Sequence, residues 1–566
     1  MAERRLAITI KGAISLGAYE AGAIAETLRL IAFNNAQPGA TPWYVDAACG
    51  ASAGSITSAM VAAALVRNDT GVLHRTWVSS VSLATLAPDD AKMSDDTILD
   101  AAALDRLARQ NLTCPTTATP HRALRPAPSQ IQLRFTLSRF SPEVISQDTL
   151  NQTKLSFHDY KDSADFVVGI SQTPNSPAIA VNIGATGVAP AGYHNPDPTL
   201  SGADAWSALV QTAIASGSFP FAFAPRDLRR WVNKAWMDQY FQDGGTFDND
   251  PIGETIDIAH QIDWHGPGSE AYDDVDRRFL MIHVAPFENS PPETIPSAPV
   301  TLDVNPLTLA GKYFPAILDQ SENSGLEGIV TINAQIDERA RFLNGLVDVV
   351  KGGATALPVT LMAALAAFRK FDDVKKRLDF FLTHMIPDLQ RSDEAIYNRV
   401  DNELKAPGQQ TTFANLALAY DLATNLVDKT RLSPILISPA EQLSGSGLYA
   451  FGGFLVSRLR ERDYAQGVYD AHQAWTAISK IPEEQFALDP TSPPTPPASA
   501  AELFPQCQDE YKKGLERMVE RVDRVVSAIS KAATAPGIIG SAEALALRTV
   551  LDTVTNYFLR KAGAGE

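Results

Sequence analysis

The chain has 566 residues, 45% hydrophobic and 20% charged, which is the composition of a folded protein able to bury a large core. Its net charge of −17 argues against nucleic acid as the main partner and against unaided adhesion to an anionic membrane. Its three cysteines, Cys49, Cys114 and Cys507, are far apart and odd in number, so neither a disulfide framework nor a cysteine zinc site can be read from them.

Arg4 and Arg5 precede apolar residues as in a signal peptide, but Lys11 and Glu20 interrupt the run. The apolar stretches ITSAMVAAALV and LPVTLMAALAAF are too short to span a bilayer. The expectation is a cytoplasmic or peripheral membrane protein without a signal peptide or transmembrane segment. RLAITI reads as a strand, and residues 18–32 as a helix with Ile24, Leu28 and Ile31 on one face. YVDAAC reads as a second strand, after which Ser52 opens a helix carrying Ile56, Met60 and Leu65. IQLRFTLSRF, DFVVGIS, AIAVNIG, QYFQ and FLMIHVA are further strands, so the first half alternates in the manner of an α/β layer fold. ENSPPETIPSAP breaks that pattern. Helix-period segments follow near 305–349, 355–388, 393–405 and 412–427, and a second proline-rich stretch precedes helices near 503–533 and 541–561. The expected domains are 1–290 (catalytic α/β), 301–480 (helical, packed on it) and 500–566 (a terminal helical pair).

Three features carry chemistry. Gly50, Ala51, Ser52, Ala53 and Gly54 form G-x-S-x-G between a strand and a helix, where small flanking residues let the two elements approach. The helix N-terminus there directs free N–H groups toward a reacting carbonyl. Asp243 follows QYFQ and precedes Gly244 and Gly245, which allow a tight turn. Asn249 or Asp250 can cap the next helix, with Pro251 at its first position. Asp243 therefore sits at the C-terminal end of a strand, where ligands border open α/β sheets; taken alone, it is a turn aspartate. In the loop after the first strand, Gly12 and Gly17 permit a bend whose backbone N–H groups can converge on an oxyanion. A phosphate-binding P-loop is ruled out because Ala18 and Tyr19 stand where Lys and Ser/Thr are needed.

These elements, in this order, resemble the patatin-like phospholipase family. GAISLGAYEAG is similar to the family's oxyanion loop, Ser52 to its nucleophile and Asp243 to the base of its Ser–Asp dyad. ASGSFPFAFAP, with Pro220, Phe223 and Pro225, is similar to the segment ahead of the aspartate, and DGGTFDNDP to the dyad turn. The resemblance covers about residues 5–285. FGGFLVSRLRERDYAQGVYDA, residues 451–471, is similar to a segment of larger bacterial patatin-related proteins. It implies a three-layer α/β/α domain with a mainly parallel sheet, followed by a mostly helical C-terminal region. The family loop usually reads G-G-G-x-R/K-G; here Ala13 and Ile14 replace two glycines and Leu16 the basic residue. Non-glycine residues resist positive φ, so the loop's shape is the open point.

The resemblance implies a serine lipid acyl hydrolase that takes a lipid or other ester, needs no cofactor or metal, and touches membranes at most peripherally. Ser52 would attack the ester, N–H groups of Gly12, Ala13 and Ile14 would hold the oxyanion, and Asp243 would take the proton. The alternatives are a Ser–His–Asp hydrolase recruiting His260, His265 or His283, an inactive scaffold, and an acyltransferase. HQIDWH is a poor metal pair at its spacing of five. Arg226, Arg229 and Arg230 read as a solvated helix face or a headgroup site. LPVTLMAALAAF and GLYAFGGFLV read as packing segments, or alternatively as a lid or a helix that meets lipid.

Overall fold

The computed structural model describes residues 3–88, 97–126, 129–148, 154–170, 177–181, 197, 199–220, 222–232, 235–263, 276–285, 306–352, 393–424, 426, 431–446, 450–491 and 493–533. Two compact units divide the chain. The first takes residues 1–260, 275–324 and 434–566; the second takes 261–274 and 325–433.

The first unit begins with β1 (Arg4–Ile10), α1 (Gly17–Asn34), β2 (Trp43–Gly50) and α2 (Ala53–Arg67). Every residue of β1 is buried, as expected of a strand covered on both sides, and it pairs in parallel with β2 through the α1 crossover. Its two arginines are paired where they are buried, Arg5 with Asp46 at 3.2 Å and Arg4 with Glu484 at 3.2 Å. Then come α3 (Ala101–Asn111), β3 (Ser129–Asp148), β4 (Lys154–Ile170), β5 (Pro177–Val181), α4 (Gly202–Ser216), β6 (Arg226–Val232), β7 (Ala235–Asp243), α5 (Ile252–Asp263) and β8 (Asp276–Ile282).

After α6 (Pro306–Lys351), α7 (Glu394–Glu403) and α8 (Gln409–Thr424), the chain returns to the first unit with β9 (Ile435–Ile437), α9 (Ser457–Ile478) and α10 (Ala500–Ala533). The result is a mixed sheet of mostly parallel strands flanked by helices, with a helical C-terminal region. The strand order is β5-β4-β3-β2-β1-β8-β9; β3, β2, β1, β8 and β9 are parallel neighbours, and β4 and β5 add antiparallel at one side. β7 pairs antiparallel with both β3 and β6.

β3 acts as a ruler. Its Phe135 lies opposite Gly50 of β2, and its Leu137 opposite Asp243 of β7. Two residues of one strand thus bring together chain positions that are about two hundred apart. The C-terminal return is fastened just as closely. α9 crosses α1 in backbone contact, since a Cβ on Gly22 would lie 2.0 Å from the Tyr464 carbonyl oxygen and one on Gly467 2.1 Å from that of Tyr19. His472 Nδ1 and Glu26 (2.8 Å), Tyr19 and Asp470 (3.1 Å), and Trp475 and Thr27 (3.1 Å) add polar bonds across the same seam.

In the second unit, Leu343, Leu346, Val347 and Val350 follow helical spacing along α6 and pack with Ile396, Val400, Phe413 and Ala417. Arg339 holds Asp421 through two bonds of 2.7 and 2.8 Å. Among the described residues no helix is long and apolar enough to cross a membrane.

One reading is corrected. Arg226, Arg229 and Arg230 stand on strand β6, not on a helix, because RDLRRWV pairs with β7 as a hairpin. Only Arg229 is exposed; Arg230 is buried over the Phe241 ring and bonds the Ser163 carbonyl at 3.0 Å, while Arg226 bonds Asp105 at 2.9 Å. The expected helices at 355–388, which include LPVTLMAALAAF, and at 541–561, the stretch ENSPPETIPSAP, and His265 lie outside the described residues.

Candidate active site

Ser52 stands between β2 and α2 with φ 53° and ψ −123°, a conformation that ordinary L-residues avoid. Glycines make the turn physically attainable by letting backbones meet. A Cβ on Gly50 would lie 2.2 Å from the Gly54 carbonyl oxygen, and one on Gly54 2.2 Å from that of Ile10. Neither glycine has positive φ among the described residues; the strain sits on the serine. Gly54→Ala is therefore expected to cost about 2–3 kcal/mol of stability through overpacking against immovable backbone, read by urea unfolding, and to lower activity as the elbow shifts.

Ser52 Oγ donates to Asp243 Oδ2 at 2.6 Å, and both residues are buried. Asp243 Oδ1 accepts the Gly245 N–H at 2.7 Å, its own N–H donates to the Ser218 carbonyl at 3.2 Å, and its carbonyl accepts the Ser138 hydroxyl at 2.7 Å. Each carboxyl oxygen thus has a donor, and the main chain beneath it is held on both sides. Burial raises its pKa to about 7, against smaller opposing effects of the bonds from Ser52 and Gly245. Asp248, in the same turn, is raised by burial to about 6.

Gly244 and Gly245 serve close approach too. A Cβ on Gly244 would lie 2.2 Å from the Thr136 carbonyl oxygen, and one on Gly245 2.3 Å from Asn249 Oδ1. Helix α5 begins at Ile252, one residue beyond Pro251.

The loop after β1 bends, but the positive φ falls on Ile14, at 51°, and not on a glycine. A β-branched residue there is a conformational outlier, of the kind that clusters at functional sites. Gly12 sits in a crowded place, since a Cβ there would lie 1.9 Å from Asn249 Oδ1 and 3.1 Å from Ser52 Cβ. Its N–H donates to the Asn249 carbonyl at 3.0 Å. Among the described residues the N–H groups of Ala13 and Ile14 have no acceptor, which leaves two donors of the three expected. Gly17 packs its α-carbon against the Trp77 ring. Leu16 is buried, so the place of the family's basic residue is an apolar one.

Ser216 was not legible as a site residue. Its hydroxyl accepts the Ser52 N–H at 3.0 Å and bonds Ser55 Oγ at 2.7 Å, while Ser55 donates to the Gly50 carbonyl at 2.7 Å. This pair of hydroxyls braces the elbow.

Among the described residues neither Ser52 nor Asp243 has a histidine partner. His283 Nε2 instead meets Lys11 Nζ at 2.8 Å, and burial followed by Lys11 lowers its pKa to about 4, so the ring is neutral.

Beside Ser52 opens an apolar cavity of about 780 Å³, a figure that includes solvent at its mouth. Ile14, Ile56, Leu107, Ile214, Phe219 and Phe454 are among its walls.

Residues 8–256 match the family model described as patatin-like phospholipase. A curated relative, the uncharacterized protein y4iI of Sinorhizobium fredii, is 25% identical over 355 residues, covering 51% of this chain and 50% of the relative. The chain thus spans about half the length of the curated relative it matches.

Proposed function

We propose, from the patatin-like phospholipase domain that residues 8–256 form, that this protein is a serine lipid acyl hydrolase working through a Ser52–Asp243 dyad. The observation that carries the reading is the 2.6 Å bond from Ser52 Oγ to Asp243, at the wall of an apolar cavity. Ser52 Oγ attacks the ester carbonyl while Asp243 takes its proton, and the oxyanion rests on the Ala13 and Ile14 N–H groups. The tetrahedral species expels the alcohol, which receives the proton from Asp243. Water, deprotonated by Asp243, then attacks the acyl-serine, and the proton returns to Ser52 as the fatty acid leaves.

A carboxylate with an ordinary pKa near 3.9 is a weak base at neutral pH; one raised to about 7 is matched to the task. Each aimed oxyanion donor adds roughly 3–4 kcal/mol of transition-state stabilisation. The direct dyad favours this reading over a Ser–His–Asp hydrolase. Hydrolysis of p-nitrophenyl esters from acetyl to palmitoyl tests it: turnover that rises beyond the shortest chains supports a lipid acyl hydrolase, and inertness on all of them rejects it.

A further inference from the structure

Phe451 and Phe454 stand about two hundred residues beyond the patatin-like domain, yet both line the cavity beside Ser52. Each is nearly fully buried. Phe451 packs edge-on against Phe219 (5.5 Å between centroids) and against Phe454 (5.8 Å), so one wall of the cavity is a chain of three rings.

The segment that carries them is fastened to the loop that carries the oxyanion donors. The Ser15 hydroxyl donates to the Ala450 carbonyl and accepts the Gly453 N–H at 3.1 Å. A Cβ on Gly453 would lie 2.7 Å from Ser15 Oγ, and one on Gly445 3.0 Å from Leu16 Cδ2. Leu16, in the family's basic position, is thus met by Gly445, ahead of this segment, and is buried, which fits an apolar side chain there.

The segment is itself held rigidly. Buried Asp463 accepts the Ser444 and Gly445 N–H groups at 2.8 Å each, and buried Arg460 donates to the Gly453 carbonyl at 2.6 Å and to the Val78 carbonyl at 3.1 Å. Both side chains lie on α9, which is locked to α1 by the Gly22–Gly467 crossing.

We infer that residues 450–456 form part of the active site, and that Phe451 and Phe454 set the length of acyl chain it accepts. This rests on the acyl hydrolase reading and adds a specificity element from outside the family domain. The backbone that carries these rings is held at Ala450 and Gly453, and the rings pack on one another, so their volume subtracts from the space an acyl group can fill.

The test compares full-length wild type, Phe454→Ala, Phe454→Trp and Phe451→Leu on p-nitrophenyl esters of graded length, after melting curves show which variants fold. Phe454→Ala is expected to raise kcat/KM on long relative to short esters at least tenfold, and Phe454→Trp to lower that ratio. Superimposable chain-length profiles in the folded variants would overturn the inference. If the wild type cleaves no ester, the dyad reading fails separately, and calorimetric titration with saturated fatty acids of graded length decides the inference. In that case an unchanged preference in the Phe454 variants overturns it, and a shifted one sustains it.

Discussion

Ser52→Ala and Asp243→Asn are each expected to reduce ester hydrolysis on the order of 10⁴-fold in kcat, with KM little changed. Residues that act as one unit show such losses singly, and the double variant should be scarcely worse than either. Ser52→Ala removes the attacking atom. Asp243→Asn keeps the shape: its amide oxygen can still accept the Gly245 N–H, and its NH₂ faces Ser52 Oγ as a donor where an acceptor is required. A side chain that cannot take a proton leaves Ser52 as an alcohol. Because no histidine contacts either residue among those described, replacing His283 should have no comparable effect on kcat. Steady-state kinetics on a medium-chain ester check all of these.

The second large effect concerns pH and separates activity from stability. In the proposed mechanism Asp243 acts ionised, so kcat/KM should rise with pH and reach half its plateau near pH 7. Stability moves the other way. A carboxyl whose folded pKa of about 7 exceeds its unfolded value of about 3.9 binds its proton more tightly when folded. The fold therefore loses stability as pH climbs from about 4 to about 7, and the deficit stays constant above that. The shift corresponds to at most about 4 kcal/mol. Asp243→Asn removes the deficit, so the inactive variant should be the more stable protein at pH 8 and equal to wild type near pH 4. Asp248 titrates in both proteins, so the difference between them isolates Asp243. Urea unfolding at the two pH values reads it; a variant less stable than wild type at pH 8 would contradict the burial argument.

The Ser52–Asp243 pair was legible because both residues lie in local motifs. G-x-S-x-G lies between a strand and a helix, and D-G-G follows a strand, so both residues could be placed at element ends. The purpose of the glycines was harder to read. For Gly50 and Gly54 sequence suggested close approach, and both do lie where backbones crowd. For the loop after β1 and the D-G-G turn it suggested glycine-permitted bends, whereas the chain places positive φ on Ser52 and Ile14 and has Gly12 and Gly244 where neighbours crowd. The basic cluster misled at Arg226, Arg229 and Arg230, because a short charged run beside apolar residues fits a helix face as well as a hairpin strand.

What sequence could not supply was partnership over long separations. Ser216 braces the elbow through hydroxyls that carry no pattern. GLYAFGGFLV was read as packing or as a lid, and its described residues 450–456 do pack. That they pack beside Ser52 depends on α9 meeting α1 through two glycines about 450 residues apart, a contact with no local signature.

The measurement that bears most directly on the account is covalent trapping with a long-chain alkyl fluorophosphonate, followed by peptide mass spectrometry. One adduct is expected, on Ser52, formed at least a hundredfold more slowly in Asp243→Asn. An adduct on another residue, or labelling of Ser52 at an undiminished rate in Asp243→Asn, would contradict it.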